Sequence, residues 1–219
     1  MSDRFTGWCL ALAVCTGLWL VHSGSRDITP PSPSAAQALA AGPHAWSDDA
    51  ADPLPPSAPR RLRIPYIDVD TPLMGLGLDR HGGLEVPPPG DRNLAGWYRE
   101  GAAPGALGTA IVAGHVDNAR GPAVFYGLGA LRKGNRVEVS RRDGRTAVFT
   151  VDAIEVYTAE EFPEERVYGS RGRAELRVIT CGGGFSRKTG YRGNVVAYAH
   201  LIGVLPGGSG AGTGGTRAG

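Results

Sequence analysis

The chain has 219 residues, of which 42% are hydrophobic and 20% charged, which suits one globular domain with flanking segments. Its 23 Lys and Arg residues nearly balance its 21 Asp and Glu residues, giving a formal net charge of +2. So small a surplus gives no reason to expect a nucleic-acid partner. No internal repeat is evident.

The first feature along the chain is an uncharged apolar segment. No Asp, Glu, Lys or Arg occurs from Phe5 to Ser25, and the most apolar part reads WCLALAVCTGLWLV. Because a membrane-spanning helix needs about 20 apolar residues, residues 1–23 are predicted to anchor the chain in a membrane. The predicted location is a single-pass cell-membrane protein with its folded part on the extracellular side. A cleaved signal peptide is the alternative, although no clear small-residue cleavage site follows the apolar core.

Residues 24–59 and 206–219 differ in composition from the rest of the chain. The first stretch repeats Pro, Ala, Ser and Asp, as in TPPSPSAAQALAAG, and the second is rich in Gly. Such segments contain too few large apolar side chains to form a core. The first is therefore predicted to be a disordered spacer, the second a disordered tail, and residues 60–205 the folded domain.

The domain is predicted to be mainly β. Short runs rich in Val, Ile, Thr and Tyr are separated by Gly, Pro and Asp, at 61–69, 109–116, 136–140, 146–157, 175–181 and 194–204. Asp143-Gly144 lies between two of these runs and predicts a hairpin turn. The helical spacing of Phe125, Leu128 and Leu131 predicts one short helix. Many short strands without alternating long helices favour a closed barrel or a sandwich over a parallel α/β fold.

Cys181 is the one cysteine outside the apolar N-terminal segment. An exported protein would be expected to use its cysteines in pairs, so a lone thiol is either buried and inert or kept for reactivity. The thiol follows the apolar run Leu176 to Thr180 and precedes three glycines. This position at a strand end, beside residues that permit unusual backbone geometry, favours a reactive role.

Two further residues suit the chemistry of a reactive thiol. His115 follows the apolar run Thr109 to Gly114, and Arg192 precedes the last run of the domain. If the strands of Cys181 and Arg192 pair antiparallel, all three groups meet at one rim of the sheet. An imidazole can accept the thiol proton and later protonate a leaving amine. A guanidinium stays charged and can stabilise a developing oxyanion.

These segments resemble those of the sortase family. The matching motifs are Gly114 to Asp117 at one strand end, Val178 to Cys181 at another, and Arg192 at the start of the final strand. The resemblance covers nearly all of residues 60–205. It implies a single closed eight-stranded β-barrel with one or two short helices. It also implies that Cys181 is the nucleophile, His115 the acid and base, and Arg192 the oxyanion-stabilising or substrate-positioning group.

The resemblance also implies a reaction. Sortases cleave a sorting signal similar to Leu-Pro-x-Thr-Gly through a thioacyl-enzyme and transfer the acyl group to an amine. The expected partners are the sorting-signal peptide of a surface protein and an amine acceptor such as a peptidoglycan precursor. No cofactor or metal is expected. The segment from Cys181 to Phe185, with Tyr191 to Val196, looks most like the actinobacterial class F sortases.

Several alternatives to this function remain. A cysteine peptidase would release surface proteins by hydrolysis, and a non-catalytic surface β-barrel would need none of the three residues. A papain-like peptidase would place Cys before His, an L,D-transpeptidase needs a different motif around its Cys, and one Cys with one His does not make a zinc site.

Three minor assignments stay open. Asp117 either orients His115 or stabilises a turn. Thr180 is expected to face away from Cys181, in a packing or hydrogen-bonding role. Phe162 and Pro163 are candidates for a wall of the peptide groove, and the neighbouring glutamates at 160–161 and 164–165 are expected to lie in water.

Overall fold

The computed structural model describes residues 29–39, 49–186, 188 and 190–206. The predicted anchor at 1–23 lies outside the described residues, as does the predicted tail after Pro206. Among the described helices, none has both the length and the apolar composition needed to cross a bilayer.

Short strands make up most of the described chain. They are β1 (Pro59–Ile64), β2 (Val69–Leu76), β3 (Ala95–Tyr98), β4 (Gly108–Gly114), β5 (Asp117–Asn118), β6 (Gly121–Pro122), β7 (Arg136–Arg141), β8 (Thr146–Thr158), β9 (Ala174–Ser186) and β10 (Gly190–Leu205). One α-helix, α1 (Glu164–Tyr168), joins β8 to β9, and 3-10 helices occupy Ala35–Gln37, Pro65–Ile67 and Leu128–Ala130.

Eight of these strands close into a barrel, as predicted. The strand order is β1-β2-β3-β4-β9-β10-β8-β7, and β5 with β6 forms a separate two-stranded sheet. The pairs β2–β3 and β4–β9 are parallel, and the other pairs are antiparallel. Because β4 and β9 are parallel neighbours, the segments that follow them leave the barrel at the same end.

The predicted hairpin at Asp143-Gly144 is present. Ser140 pairs with Thr146 across the turn, Gly144 adopts a φ of 81°, and the Asp143 carboxylate accepts a hydrogen bond from the backbone of Arg145. A positive φ suits glycine because it has no β-carbon. The turn therefore fixes the register of β7 and β8.

The structure differs from the predicted elements in several places. β9 continues past the predicted run at 175–181 to Ser186, so Cys181 lies within this strand and not at its end. The run at 61–69 is not one strand: Pro65 begins a 3-10 helix and Asp68 adopts a φ of 53°, so the chain turns back as β2. β3 was missed because it has only four residues, two of them Ala95 and Gly96. Near Phe125, the short helix is a 3-10 helix limited to Leu128–Ala130.

The barrel interior is the main apolar core. Alternate residues of the strands point inward, and every barrel strand contributes at least one buried side chain. Examples are Leu62, Val69, Ala95, Val112, Val139, Phe149, Leu176, Val178, Val195 and Leu201. Phe125 and Leu128 pack into this core, and the backbone of Phe125 donates a hydrogen bond of 3.0 Å to the carbonyl of His115, which holds the residues after β4 against the barrel.

Part of the predicted spacer contacts the barrel. The backbone of Ala51 donates a hydrogen bond to Leu201, that of Leu54 donates to Gly105, and the side chain of Asp49 contacts His200 at 3.0 Å. Leu54 also packs against the barrel core. Residues 49–58 therefore run along the barrel before β1, while the division of the chain into anchor, spacer and tail stays a prediction.

Candidate active site

His115 directly follows β4, and Cys181 and Arg192 lie in the next two strands of the barrel, β9 and β10. Ala113 of β4 pairs with Ile179 of β9, so His115 and Cys181, each two residues further on, lie at the same level. On its other side, Cys181 pairs with Asn194 of β10, and Arg192 lies at an irregularity of that ladder between Tyr191 and Gly193. The antiparallel pairing assumed from the sequence is present, and β9 places Cys181 between the other two residues.

The side chain of Thr180 links β9 to the end of β4 by a hydrogen bond. It is buried, and its hydroxyl donates a hydrogen bond of 2.8 Å to the carbonyl of Gly114, directly before His115. Cys181, the next residue, is a free and exposed thiol. The expected opposition of Thr180 and Cys181 is therefore observed, and the thiol is not buried as the alternative interpretation required.

His115 is held by a segment that the sequence did not single out. Its Nε2 lies 2.6 Å from the carbonyl oxygen of Pro87, in the connection between β2 and β3. Because a carbonyl can only accept, this hydrogen bond requires a proton on Nε2. In the neutral ring, Nδ1 then keeps its lone pair and is the atom available to accept a proton from a thiol.

The segment from Pro87 to Arg92 is itself held by two hydrogen bonds. Asn118 donates from Nδ2 to the carbonyl of Pro89 at 2.9 Å, and Arg92 donates from Nε to the carbonyl of Pro122 at 2.8 Å. Both bonds join the proline segment to the β5–β6 hairpin that follows His115. A loop that is itself held by hydrogen bonds therefore orients the imidazole of His115 and limits the rotation of the ring.

Arg192 is exposed and lies against the glycines that follow the thiol. A β-carbon on Gly184 would be 3.2 Å from Nη2 of Arg192, and one on Gly182 would be 2.5 Å from a methyl of Val195. Gly183 and Gly184 also have φ values of 75° and 88°. These glycines are therefore required for the turn of the chain and for close packing, beyond any approach of a substrate.

The guanidinium of Arg192 makes no ion pair among the residues that the structure describes. Its positive charge is not already neutralised there by a described carboxylate. It is therefore able to face a developing negative charge near Cys181.

Asp117 does not orient His115, whose ring is bonded to Pro87. Its carboxylate instead accepts a hydrogen bond from the hydroxyl of Tyr191. Partial burial, with this bond and the charge of Asp117, raises the pKa of Tyr191 far above its ordinary value. Tyr191 therefore stays protonated and remains a donor.

The surroundings of the Cys181 thiol disfavour its ionisation. Desolvation first, and the negative charge of Asp117 second, raise the pKa of Cys181 above its ordinary value of 9.0, while a backbone hydrogen bond acts in the other direction. A thiol with a raised pKa needs a base before it can act as a nucleophile, and the predicted base is His115.

An apolar surface leads away from Cys181 along the outside of the barrel. Ile179 faces the same side as Cys181 and packs in a cluster of outward-facing residues. The members of this outer-face cluster are Ile111, Ala153, Val167, Ile179, Val196 and Tyr198, with Leu39, Leu84, Tyr98, Tyr157 and Phe162 packed against them.

A cavity of about 540 Å³ adjoins this cluster, bounded by Tyr98, Ile111 and Tyr168 among others. Phe162 contacts the rings of Tyr157 and Tyr168, with centroids 5.8 and 5.7 Å away. Phe162 therefore borders the apolar surface, and the roles of Phe162 and Pro163 in a peptide groove stay a prediction. Glu164 and Glu165, expected in a solvated loop, form the first turn of α1 and are exposed.

The structure brings the three predicted residues to one end of the barrel and adds two that sequence reasoning missed. Pro87 acts through its backbone carbonyl, which no side-chain pattern reveals. Tyr191 acts through a bond to a residue 74 positions earlier, although its place beside Arg192 was a local signal.

Comparison with known proteins agrees with this geometry. The family model described as sortase domain matches residues 62–202. No curated protein matches.

Among solved structures, sortase A from Listeria monocytogenes is 18% identical with a TM-score of 0.51, covering 68% of this chain and 90% of that one. The SrtA sortase from Actinomyces oris is 18% identical with a TM-score of 0.52, covering 73% and 89%. Sortase A from Corynebacterium diphtheriae is 19% identical with a TM-score of 0.51, covering 69% and 64%. These likenesses show the shared fold, and the family model spans well over half of the chain. The chain belongs to the sortase family.

Proposed function

We propose that this chain is a cysteine transpeptidase of the cell surface. It cleaves a sorting signal similar to Leu-Pro-x-Thr-Gly through a thioacyl-enzyme on Cys181 and transfers the acyl group to an amine of the cell wall or of a protein. The observation that supports this most is the exposed free thiol on β9, between the segment that carries His115 after β4 and the strand that carries Arg192.

In the first half of the reaction, neutral His115 takes the Cys181 proton on Nδ1 while Nε2–H remains bonded to Pro87. The sulfur attacks the scissile carbonyl carbon, and the oxygen gains a negative charge that the Arg192 guanidinium stabilises. The imidazolium then protonates the leaving amine as the C–N bond breaks. The thioacyl-enzyme remains.

The donor peptide lies along the outside of the barrel. The outer-face cluster begins at Ile179, one step along the strand face from Cys181, and is apolar. Leu and Pro preceding the cleaved bond match such a surface because their burial is favourable there. Phe162 on the β8–β9 connection borders the same surface.

The wider biology belongs to the same proposal. Residues 1–23 anchor the protein in the cell membrane, and the domain acts on the extracellular side. The uncharged apolar segment and the Pro-rich stretch after it support this placement. The sequence around Cys181 and Arg192 supports assignment to the actinobacterial class F sortases.

The test is a peptide-library assay read by mass spectrometry, with and without an amine acceptor. A thioacyl adduct on Cys181 and an amide product formed only with the amine are expected. Hydrolysis alone, unaffected by any amine, would instead identify a cysteine peptidase. A chain that forms no adduct with any donor of this type refutes the proposal.

A further inference from the structure

Asp117 and Tyr191 connect the two segments on either side of Cys181. Asp117 lies two residues after His115, and Tyr191 lies directly before Arg192. Their hydrogen bond joins the segment after β4 to the start of β10, and β9 lies between those strands. The bond therefore crosses β9 close to Cys181, where an acceptor must approach a thioacyl group.

Among the residues that the structure describes, the carboxylate of Asp117 forms no ion pair with a Lys, Arg or His. Three titratable groups that feel its charge are weak acids, namely Cys181, Tyr126 and Tyr191. Burial first, and the charge of Asp117 in addition, raises the pKa of each of them. The negative charge of Asp117 thus opposes thiolate formation in the free enzyme. A cation bound at this position would remove that opposition.

The tyrosine that binds this carboxylate packs on a second aromatic ring. The rings of Phe185 and Tyr191 have centroids 5.1 Å apart, and Phe185 is well exposed. The carboxylate attracts an ammonium group by ion pairing, and the exposed ring of this aromatic pair can add cation–π attraction to an amine that reaches it. A neutral nucleophile gains neither interaction.

We propose that Asp117, held by the Tyr191 hydroxyl, binds the acceptor of the transfer reaction as a primary ammonium beside Cys181. This inference rests on the proposed function and specifies its second substrate. Asp117 makes the contact with the acceptor, and Tyr191 positions the carboxylate.

The transfer step then balances as follows. The bound ammonium gives one proton to neutral His115, and the nitrogen lone pair attacks the thioester carbonyl carbon. The C–S bond breaks with its electron pair on the sulfur of Cys181, which receives the second nitrogen proton. The products are the amide, the free thiol and imidazolium, so charge and protons are conserved.

The kinetic test compares two nucleophiles with the full chain and its Asp117→Asn variant. The introduced side-chain amide can still accept the Tyr191 hydrogen bond, so the substitution removes the charge and keeps the shape. Butylamine is an ammonium at neutral pH, whereas hydroxylamine is uncharged. We expect the ratio of KM for butylamine to KM for hydroxylamine to rise about fivefold, because any change in the acylation of Cys181 affects both nucleophiles alike. Equal changes for both nucleophiles would show a structural role and overturn the inference.

A matched control carries the same charge change elsewhere. Asp52 is exposed on the segment that runs along the barrel, near the end of β10 remote from Arg192. The Asp52→Asn variant should show wild-type KM for both nucleophiles. A rise in KM for butylamine in this control as large as in Asp117→Asn would assign the effect to net charge and overturn the inference.

A second measurement needs no donor peptide, so it separates this inference from the proposed function. Alkylation of Cys181 by iodoacetamide is followed by peptide mapping. Butylammonium chloride should accelerate it more than sodium chloride at equal ionic strength, because neutralising Asp117 lowers the thiol pKa. The Asp117→Asn variant should be alkylated faster than the wild type, and its alkylation rate should not depend on butylammonium. No acceleration of the wild type, or the same acceleration in the variant, would count against an ammonium site whether or not a donor is ever found.

Discussion

The outer face of β9 uses charge in opposite ways at its beginning and at its middle. At the start of the strand, called the paired end, Glu175 and Arg177 are fully buried and form an ion pair of 2.8 Å. At the middle of the strand, Cys181 is exposed, and Asp117 and Arg192 make no ion pair among the described residues. One strand thus carries buried, paired charges at its start and exposed groups without described ion pairs around Cys181.

The paired end is well connected. Arg173 donates from Nε to Glu175 at 2.9 Å, and the guanidinium of Arg177 lies 4.5 Å from the ring centre of Tyr198. The hydroxyl of Tyr198 in turn bonds to that of Tyr157 at 2.9 Å. Buried charges that are paired in this way resist movement because breaking a pair leaves an uncompensated charge. Buried ion pairs therefore hold the start of the strand, while the groups around Cys181 remain accessible to a substrate.

The largest expected effect is a loss of activity on substitution of the exposed residue at the middle of β9. Cys181→Ala should lower turnover of a sorting-signal peptide by about ten-thousandfold or more, because it removes the nucleophile. Its melting temperature should match that of the wild type, since the side chain is exposed. Peptide cleavage by mass spectrometry and thermal unfolding are the measurements. Turnover near the wild-type rate would remove Cys181 from the mechanism.

Next come the two groups flanking the thiol. Arg192→Ala should lower kcat by about a hundredfold to a thousandfold, since the guanidinium acts on charge that develops in the transition state. His115→Ala should lower kcat by about a hundredfold or more through loss of the base. Steady-state kinetics with the donor peptide measure both. A rise in KM alone for Arg192→Ala would make that residue a binding group.

At the paired end, the expected effect is on stability. Arg177→Met should lower the free energy of unfolding by about 3 kcal/mol, because it leaves Glu175 with one fewer partner inside the protein. Denaturant unfolding measures this loss. The double variant Glu175→Gln with Arg177→Met should recover part of it, because no buried charge of this pair is then left unpaired. Equal losses in the single and double variants would contradict the account of this end.

The smallest expected effect is a dependence of stability on pH. Burial alone would raise the pKa of Glu175, but the charges and hydrogen bonds of Arg177 and Arg173 outweigh it and lower the pKa below its ordinary value of 4.5. A lowered pKa in the folded state stabilises the fold above about pH 4.5, and this contribution is lost as the pH falls through the folded value.

Unfolding of the wild type and of Glu175→Gln between about pH 7 and pH 3 gives the measurement. The stability advantage of the wild type should shrink below about pH 4.5. Groups shared by both proteins cancel in the difference. An advantage that is constant with pH, or that grows on acidification, would show that Glu175 does not titrate as stated.

Local sequence determined most strands and the identity of the reactive groups. Runs rich in β-branched residues predicted β4, β8, β9 and β10, and Asp143-Gly144 predicted a tight hairpin, because these signals lie within a few neighbouring residues. The lone thiol, with His115 before it and Arg192 after it, predicted the candidate site. β3 was missed because four small and aromatic residues do not make a pattern distinct from a loop.

The tertiary structure alone decided how those groups are held. Pro87 fixes His115 through a backbone carbonyl, and Tyr191 reaches Asp117 across β9; both contacts join residues far apart in the chain. Strand pairing sets such distances, and strand pairing depends on the closure of the whole barrel. The sequence by itself therefore determined which chemistry is present, and the fold decided which proton sits on His115 and which negative charge lies beside Cys181.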